Sequence, residues 1–126
     1  MTFPNKNYDF DELSQNSFFI GAYINNECVG LAIVQRAFFK YLYLYDLKVA
    51  KACRGLGIAQ LLIEKAQEIA RQEGYIGLYT QAQDNNLGAC LFYLSAGFHI
   101  GGLDTKVYQG TPQENKKDIY FYLDNL

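Results

Sequence analysis

Hydrophobic and polar positions alternate with a period of two through the first half of the chain, then lengthen to a helical period just after Gly57. From Phe18 to Ile24 aromatic and β-branched residues dominate, Asn25 and Asn26 form a polar pair, and an apolar run resumes from Cys28 to Gln35. This pattern predicts a β-hairpin. A third run, Phe39 to Ala50, places Tyr41, Tyr43, Tyr45, Leu47 and Val49 on one face and Leu42, Leu44, Asp46 and Lys48 on the other. Both faces are largely apolar, so the strand is expected at the centre of a sheet, covered on both sides. Ile58, Leu61, Leu62, Ala66, Ile69 and Ala70 then recur at three- and four-residue steps until Gly74, which predicts the clearest helix of the chain. Tyr75 to Gln81 reads as a strand, so strand, helix and strand form a βαβ crossover whose strands run parallel.

A second helix is expected over Asn86 to Ala96, capped by Asn85 or Asn86 and stopped by Gly97, with Leu87, Cys90, Leu91 and Leu94 on one stripe. Phe98 to Ile100 and Asp118 to Leu123 read as strands separated by the loop from Gly110 to Asn115. A short polar run from Asp9 to Asn16 predicts a helical stub. Together these elements give a mixed α/β sheet without repeats.

Composition narrows the class. A chain of 126 residues has room for one domain, residues 1–126, around one core. Half the residues are hydrophobic and the formal net charge is −2, as in soluble globular proteins. No Lys/Arg cluster supplies a footprint for nucleic acid or an anionic membrane, so neither is an expected partner. The three cysteines (Cys28, Cys53, Cys90) are widely spaced, and there is one histidine. Neither a disulfide framework nor a metal site is expected. The start lacks a basic segment followed by an apolar run, and no apolar stretch approaches the ~18 residues of a membrane span, so a reducing cytoplasm is the expected location. Eleven tyrosines and nine phenylalanines read chiefly as strand and core residues. Cys90 reads as core and the lone His99 as structural.

Candidate chemistry concentrates in the segment Lys51 to Ala59, where a glycine-rich turn joins the central strand to the start of the best helix. A helix start exposes unpaired N–H groups and a partial positive charge, which suits a pyrophosphate. Gly55 and Gly57 let the backbone approach a phosphate closely, and Arg54 adds charge. A phosphate-binding loop of the Gly-Lys-Ser/Thr kind is absent, and Gln60 stands where a dinucleotide fingerprint requires Gly or Ala.

The segment resembles the Arg/Gln-x-x-Gly-x-Gly/Ala signature of the Gcn5-related N-acetyltransferases, with Arg54, Gly57 and Ala59 in the defining places. The stretch Asn86 to Phe98 resembles that family's Asn-x-x-Ala-x-x-Phe-Tyr-x-x-x-Gly-Phe block, and the two matches occur in the expected order. The resemblance runs from Phe18 to the last strand. It implies the acetyltransferase (GNAT) fold, a mostly antiparallel mixed sheet with a central parallel βαβ unit, and acetyl-CoA as co-substrate. It further implies that the backbone of Leu47, Lys48 and Val49 binds the pantetheine arm. The loop Arg54, Gly55, Leu56, Gly57, Ile58 and Ala59 would hold the pyrophosphate, and Asn86 would contact the cofactor arm. Tyr93 is implied as the acid that protonates the departing thiolate.

The reaction so implied is direct attack of a primary amine on the bound thioester, without a covalent enzyme intermediate. Asp46, the acid of the central strand, is the candidate base, acting directly or through water, or else an anchor for a cationic substrate. Where many relatives carry glutamate just before this position the chain has Tyr45. A closer similarity, from Gln83 through Tyr108 to the aromatic strand Tyr120 to Tyr122, is to the streptothricin acetyltransferases. It implies a small-molecule amine acceptor and an acidic, tyrosine-lined groove of Asp46, Tyr43, Asp104 and Tyr108, although Asp104 and Thr105 also read as a turn. Two alternatives stay open: a non-catalytic acetyl-CoA-binding or regulatory module, and a protein N-terminal or polyamine acetyltransferase. About seventeen residues precede the first strand. The N-terminal strand and helix module of the family is therefore expected to be shortened or missing, leaving a sheet edge for a homodimer partner to cover.

Overall fold

The computed structural model describes residues 16–125, so the stub expected from Asp9 lies, apart from Asn16, outside the described residues. Six strands, β1 (Ser17–Ile24), β2 (Glu27–Gln35), β3 (Tyr41–Val49), β4 (Gly77–Gln83), β5 (His99–Asp104) and β6 (Asp118–Asp124), form one sheet in the order β1-β2-β3-β4-β6-β5. Two helices, α1 (Ile58–Gln72) and α2 (Leu87–Ser95), and a 3-10 turn (Lys51–Cys53) complete the described elements. Asn25 and Asn26 close the first hairpin with φ of 51° and 65°, left-handed values that asparagine tolerates better than most residues. Only β3 and β4 run parallel, and α1 connects them.

Helix α1 lies over β1, β2, β3 and β4 and buries Ile58, Leu62, Ile63, Ala66 and Ala70 against Leu42, Leu44 and Leu78. Each buried leucine or isoleucine of this set contributes about 1.5–3 kcal/mol of transfer free energy, and each alanine less. Leu61, expected on the same stripe, is exposed. Gly30 brings β2 close beneath the helix, since a Cβ there would meet Ile58 Cγ2 at 3.0 Å and Leu62 Cδ1 at 3.1 Å. Strand β4 starts two residues later than its apolar run, because the Tyr75 N–H still donates to Ala70 O at 2.8 Å and so belongs to the helix end.

Two expectations about faces are corrected. In α2 the leucine stripe points outward: Leu87, Leu91 and Leu94 retain 67%, 56% and 45% exposure. Cys90 is buried, and Ala89, Phe92, Tyr93 and Ala96 pack on the core. This helix is apolar almost all round, so leucine spacing alone cannot choose its inner face; the larger aromatic area decides it.

In β3 the strict alternation breaks at Tyr45. Val34 pairs with Leu44 but Ile33 pairs with Asp46, so Tyr45 is the extra residue of a β-bulge. Beyond it Leu47 and Val49 pair with Ala32 and Gly30 and share the helix-covered face with Leu42 and Leu44. Asp46 moves to the opposite face with Ile33. That face is half-buried rather than closed. Phe39, Tyr41, Tyr43, Tyr79 and Tyr122 form a run of ring contacts across it, with centroid distances of 4.7 to 6.2 Å.

Candidate active site

The parallel pair β3–β4 holds for three rungs, Tyr41↔Gly77, Leu42↔Leu78 and Tyr43↔Tyr79. After that β3 stays with β2 while β4 stays with β6 as far as Gln83↔Asp118. The two strands therefore fork, and the Thr80 hydroxyl, donating to Leu44 O at 2.9 Å, is the last link before they part. Beyond the fork β4 offers no ladder partners to Leu47, Lys48 and Val49. Their main-chain groups on that edge face a groove of about 1100 Å³.

One wall of the groove is Leu47, Lys48, Val49 and Ala50 of β3; the other is Asn86, Gly88, Ala89, Phe92 and Tyr93 of α2. Its end is the turn carrying Lys51, Cys53, Arg54, Gly55 and Gly57 and the first residues of α1, Ile58, Ala59 and Gln60. Gly55 and Gly57 have φ of 85° and 80°, and nothing lies within 4 Å of a Cβ built on either. Gly57 is the N-cap of α1 and has no side chain to cap it, and no acidic residue stands in the first turn. The helix-start N–H groups, with Lys51 and Arg54 beside them, thus form a concave, positively polarised end suited to a diphosphate.

Asn86 caps α2 by accepting from Ala89 N at 3.1 Å, so its side chain is held at the groove wall with its amide N–H groups still able to donate. Tyr93 packs against Phe92, Phe98 and Phe121 at 5.6, 5.3 and 5.4 Å. Burial pushes its phenol above the ordinary value of 10, the Thr80 hydroxyl partly opposes this, and Asp46 and Cys90 add to it. Tyr93 is therefore protonated at neutral pH and has a proton to give.

Of the residues singled out from sequence, Leu47, Lys48, Val49, Arg54, Gly55, Gly57, Ile58, Ala59, Asn86 and Tyr93 come together around this groove. Leu56 does not line it and is 65% exposed. Asp46 lies across the fork on the aromatic face, its Oδ1 accepting from Leu47 N at 3.0 Å. Lys51, Cys53, Gln60 and Phe92 line the groove without having been singled out for it. A second basic residue three positions before Arg54 was the available signal for Lys51.

On the aromatic face the expected acidic groove is only partly assembled. Tyr43 is pushed up to about 12, chiefly by burial. Asp104 accepts from Lys106 N at 2.9 Å, so the turn reading of Asp104 and Thr105 is correct in part. Asp104 also sits directly across the β5–β6 ladder from Asp118, a buried carboxylate that accepts from Tyr108 Oη at 2.7 Å. Both acids act on Tyr120, whose phenol is raised first by burial and then by their charge. Asp118 was read only as the first residue of the last strand, because it opens an apolar strand pattern. No group of His, Cys, Asp and Glu among the described residues is arranged to hold a metal ion.

Comparison with known proteins places this geometry. Streptothricin acetyltransferase A of Bacillus subtilis (strain 168) is 35% identical over 100 residues, covering 79% of this chain and 58% of the relative. Streptothricin acetyltransferase of Escherichia coli is 32% identical over 113 residues, covering 89% and 65%. The chain thus spans 58% to 65% of the length of these curated relatives. A crystal structure from Bacillus anthracis str. Ames, described as a streptothricin acetyltransferase in complex with acetyl coenzyme A, superposes with a TM-score of 0.84 at 32% identity. It covers 93% of this chain and 69% of that one. The model of the Acetyltransferase (GNAT) family matches residues 2–98, and with the forked β3–β4 pair and the glycine turn in place the chain belongs to that family and has its α/β fold.

Proposed function

We propose that the protein is an acetyl-CoA-dependent N-acetyltransferase acting on a primary amine of a small cationic molecule. The observation that carries this reading is the continuous groove from the uncapped start of α1 to the fork between β3 and β4. It has a diphosphate end, an extended-strand wall for an amide-bearing arm and a half-buried phenol at the far end. The relatives' names and the bound acetyl coenzyme A of the Bacillus anthracis structure support it.

In this reading the loop Arg54 to Ala59 holds the pyrophosphate, and the backbone of Leu47 to Val49, with Asn86, holds the pantetheine arm and polarises the thioester carbonyl. The neutral amine enters from the aromatic face and attacks the carbonyl carbon. The C–N bond forms, the C–S bond breaks, and the leaving thiolate takes the Tyr93 Oη proton. Asp46 accepts the amine's proton, directly or through water, from its place across the fork. Alignment of the two reactants carries much of the rate.

The acceptor is proposed to be a polycation of the streptothricin kind. Asp104 and Asp118 are like charges directly opposite on a ladder, an arrangement that destabilises the sheet unless a cation lies between or above them. Asp118 sits two strands and Asp104 three strands beyond β3, at the same end of the sheet as Asp46; ordinary strand spacing makes that at least about 10–15 Å, and the fork between β3 and β4 adds to it. A second ammonium group of an extended substrate fits that separation. Three free cysteines fit a reducing cytoplasm. The outer edge of β5 has no strand partner among the described residues, and the exposure of Ile100 and Leu103 on that strand supports a homodimer.

Release of coenzyme A, followed with a thiol reagent, tests the proposal on a panel of streptothricin, polyamines, aminoglycosides and N-terminal peptides. Amine-dependent release with streptothricin supports both activity and acceptor. Release with a different amine keeps the activity and discards the acceptor. Binding of acetyl-CoA without release from any amine leaves a cofactor-binding module instead.

A further inference from the structure

Two polar residues are buried among the described residues, Asp118 and Thr80. Thr80 lies where the β3–β4 ladder ends: the rung before it is Tyr43↔Tyr79, and its Oγ1 donates to Leu44 O at 2.9 Å in place of a further backbone bond. Its Cα partner on β6 is Phe121, whose ring lies 5.4 Å from that of Tyr93. Thr80 therefore shares a face with Tyr93 through Phe121, and its hydroxyl acts on the Tyr93 phenol, lowering it against the effect of burial. A hydroxyl has one proton and two lone pairs. While Thr80 gives its proton to Leu44 O, its oxygen is an acceptor beside Tyr93. If Tyr93 becomes a phenolate, the same proton can rotate onto it.

We infer that Thr80 is a positioning residue that fixes the mouth of the fork through Leu44 and orients the Tyr93 hydroxyl toward the leaving sulfur. This rests on the proposed role of Tyr93. During transfer the Tyr93 O–H bond breaks, an S–H bond forms on coenzyme A, and the phenolate left behind accepts the Thr80 O–H in place of Leu44 O. Tyr93 is then reprotonated through water by the proton that Asp46 took from the amine, which returns both groups to their starting state.

Thr80→Val removes the hydroxyl while keeping a β-branched shape suited to a strand, and Thr80→Ser keeps the hydroxyl. With acetyl-CoA and an accepted amine, Thr80→Val is expected to lower kcat roughly tenfold, the size allowed by one hydrogen bond. KM for acetyl-CoA stays within about twofold, and Thr80→Ser recovers most of the rate. In carbon-13 tyrosine NMR the Tyr93 signal, assigned by its loss in Tyr93→Phe, moves to a higher titration pH in Thr80→Val and returns in Thr80→Ser. An unchanged kcat, or a Tyr93 signal that titrates alike in all three proteins, overturns the inference. Should the valine variant not fold, Thr80→Ala serves in its place; unfolding of both would make Thr80 purely structural and also overturn it. If the unaltered protein transfers no acetyl group, the functional proposal fails separately, and the NMR titration still decides the coupling of Thr80 to Tyr93.

Discussion

Tyr43 and Tyr79 are the last partners of the parallel β3–β4 pair, and their rings stack at 4.9 Å with planes 28° apart. One step further along both strands the sheet opens, so this stacked pair is the hinge point between a continuous sheet and the groove. Its burial has a pH consequence. The Tyr43 phenol is pushed up to about 12, against an ordinary value of 10 that the unfolded chain retains. Between those values the folded protein holds a proton that the unfolded chain has lost, so stability falls as pH rises through that window. The contribution is intact at neutral pH. Denaturant midpoints measured at about pH 8 and about pH 11.5 are expected to differ less in Tyr43→Phe than in the unaltered protein. An equal difference would show that Tyr43 does not carry this loss.

Gly57 is required by backbone and ligand alike. Its φ of 80° is left-handed, so Gly57→Ala costs on the order of 1 kcal/mol of stability. The space around its missing Cβ is empty groove, so the new methyl group occupies room that the diphosphate would use. KM for acetyl-CoA is expected to rise at least several-fold while kcat at saturation changes little. Steady-state kinetics over a range of acetyl-CoA concentrations read this split directly.

Tyr93→Phe keeps the ring contacts with Phe92, Phe98 and Phe121 and deletes one hydroxyl. The expected loss in kcat is roughly 100-fold, the lower range for a general acid, with acetyl-CoA binding retained. The melting temperature should stay within a few degrees. A full-rate variant would move the proton donor elsewhere.

Asp104→Asn separates electrostatics from structure. Removing one of two facing carboxylates is expected to leave stability unchanged or raise it by about 0.2–1 kcal/mol. It is also expected to raise KM for a polycationic amine several-fold and leave a monoamine unaffected. Parallel kinetics with a polycation and a monoamine, together with a thermal melt, check both halves.

The sheet, the crossover and the glycine turn were legible because each rests on local rules: period, turn chemistry and helix stops. The extra residue at Tyr45 was not, since a bulge shows only when two strands are laid against each other. It reverses the face of Leu47 and Val49 and carries Asp46 across the sheet. In α2, Leu87, Leu91 and Leu94 compete with Phe92 and Tyr93 for the inner face, and only packing decides. The pairing of Asp104 with Asp118 was hidden for the same reason, as the two residues are separated by a loop and meet only across β5 and β6.

The most direct test of acetyl transfer is mass spectrometry of streptothricin after incubation with the protein and acetyl-CoA carrying an isotopically labelled acetyl group. The structure predicts one labelled acetyl group on an amine of the acceptor, formed in step with free coenzyme A and lost in Tyr93→Phe. Unlabelled acceptor in the presence of bound acetyl-CoA would contradict it, and would leave the groove between β3 and β4 as a binding site without transfer.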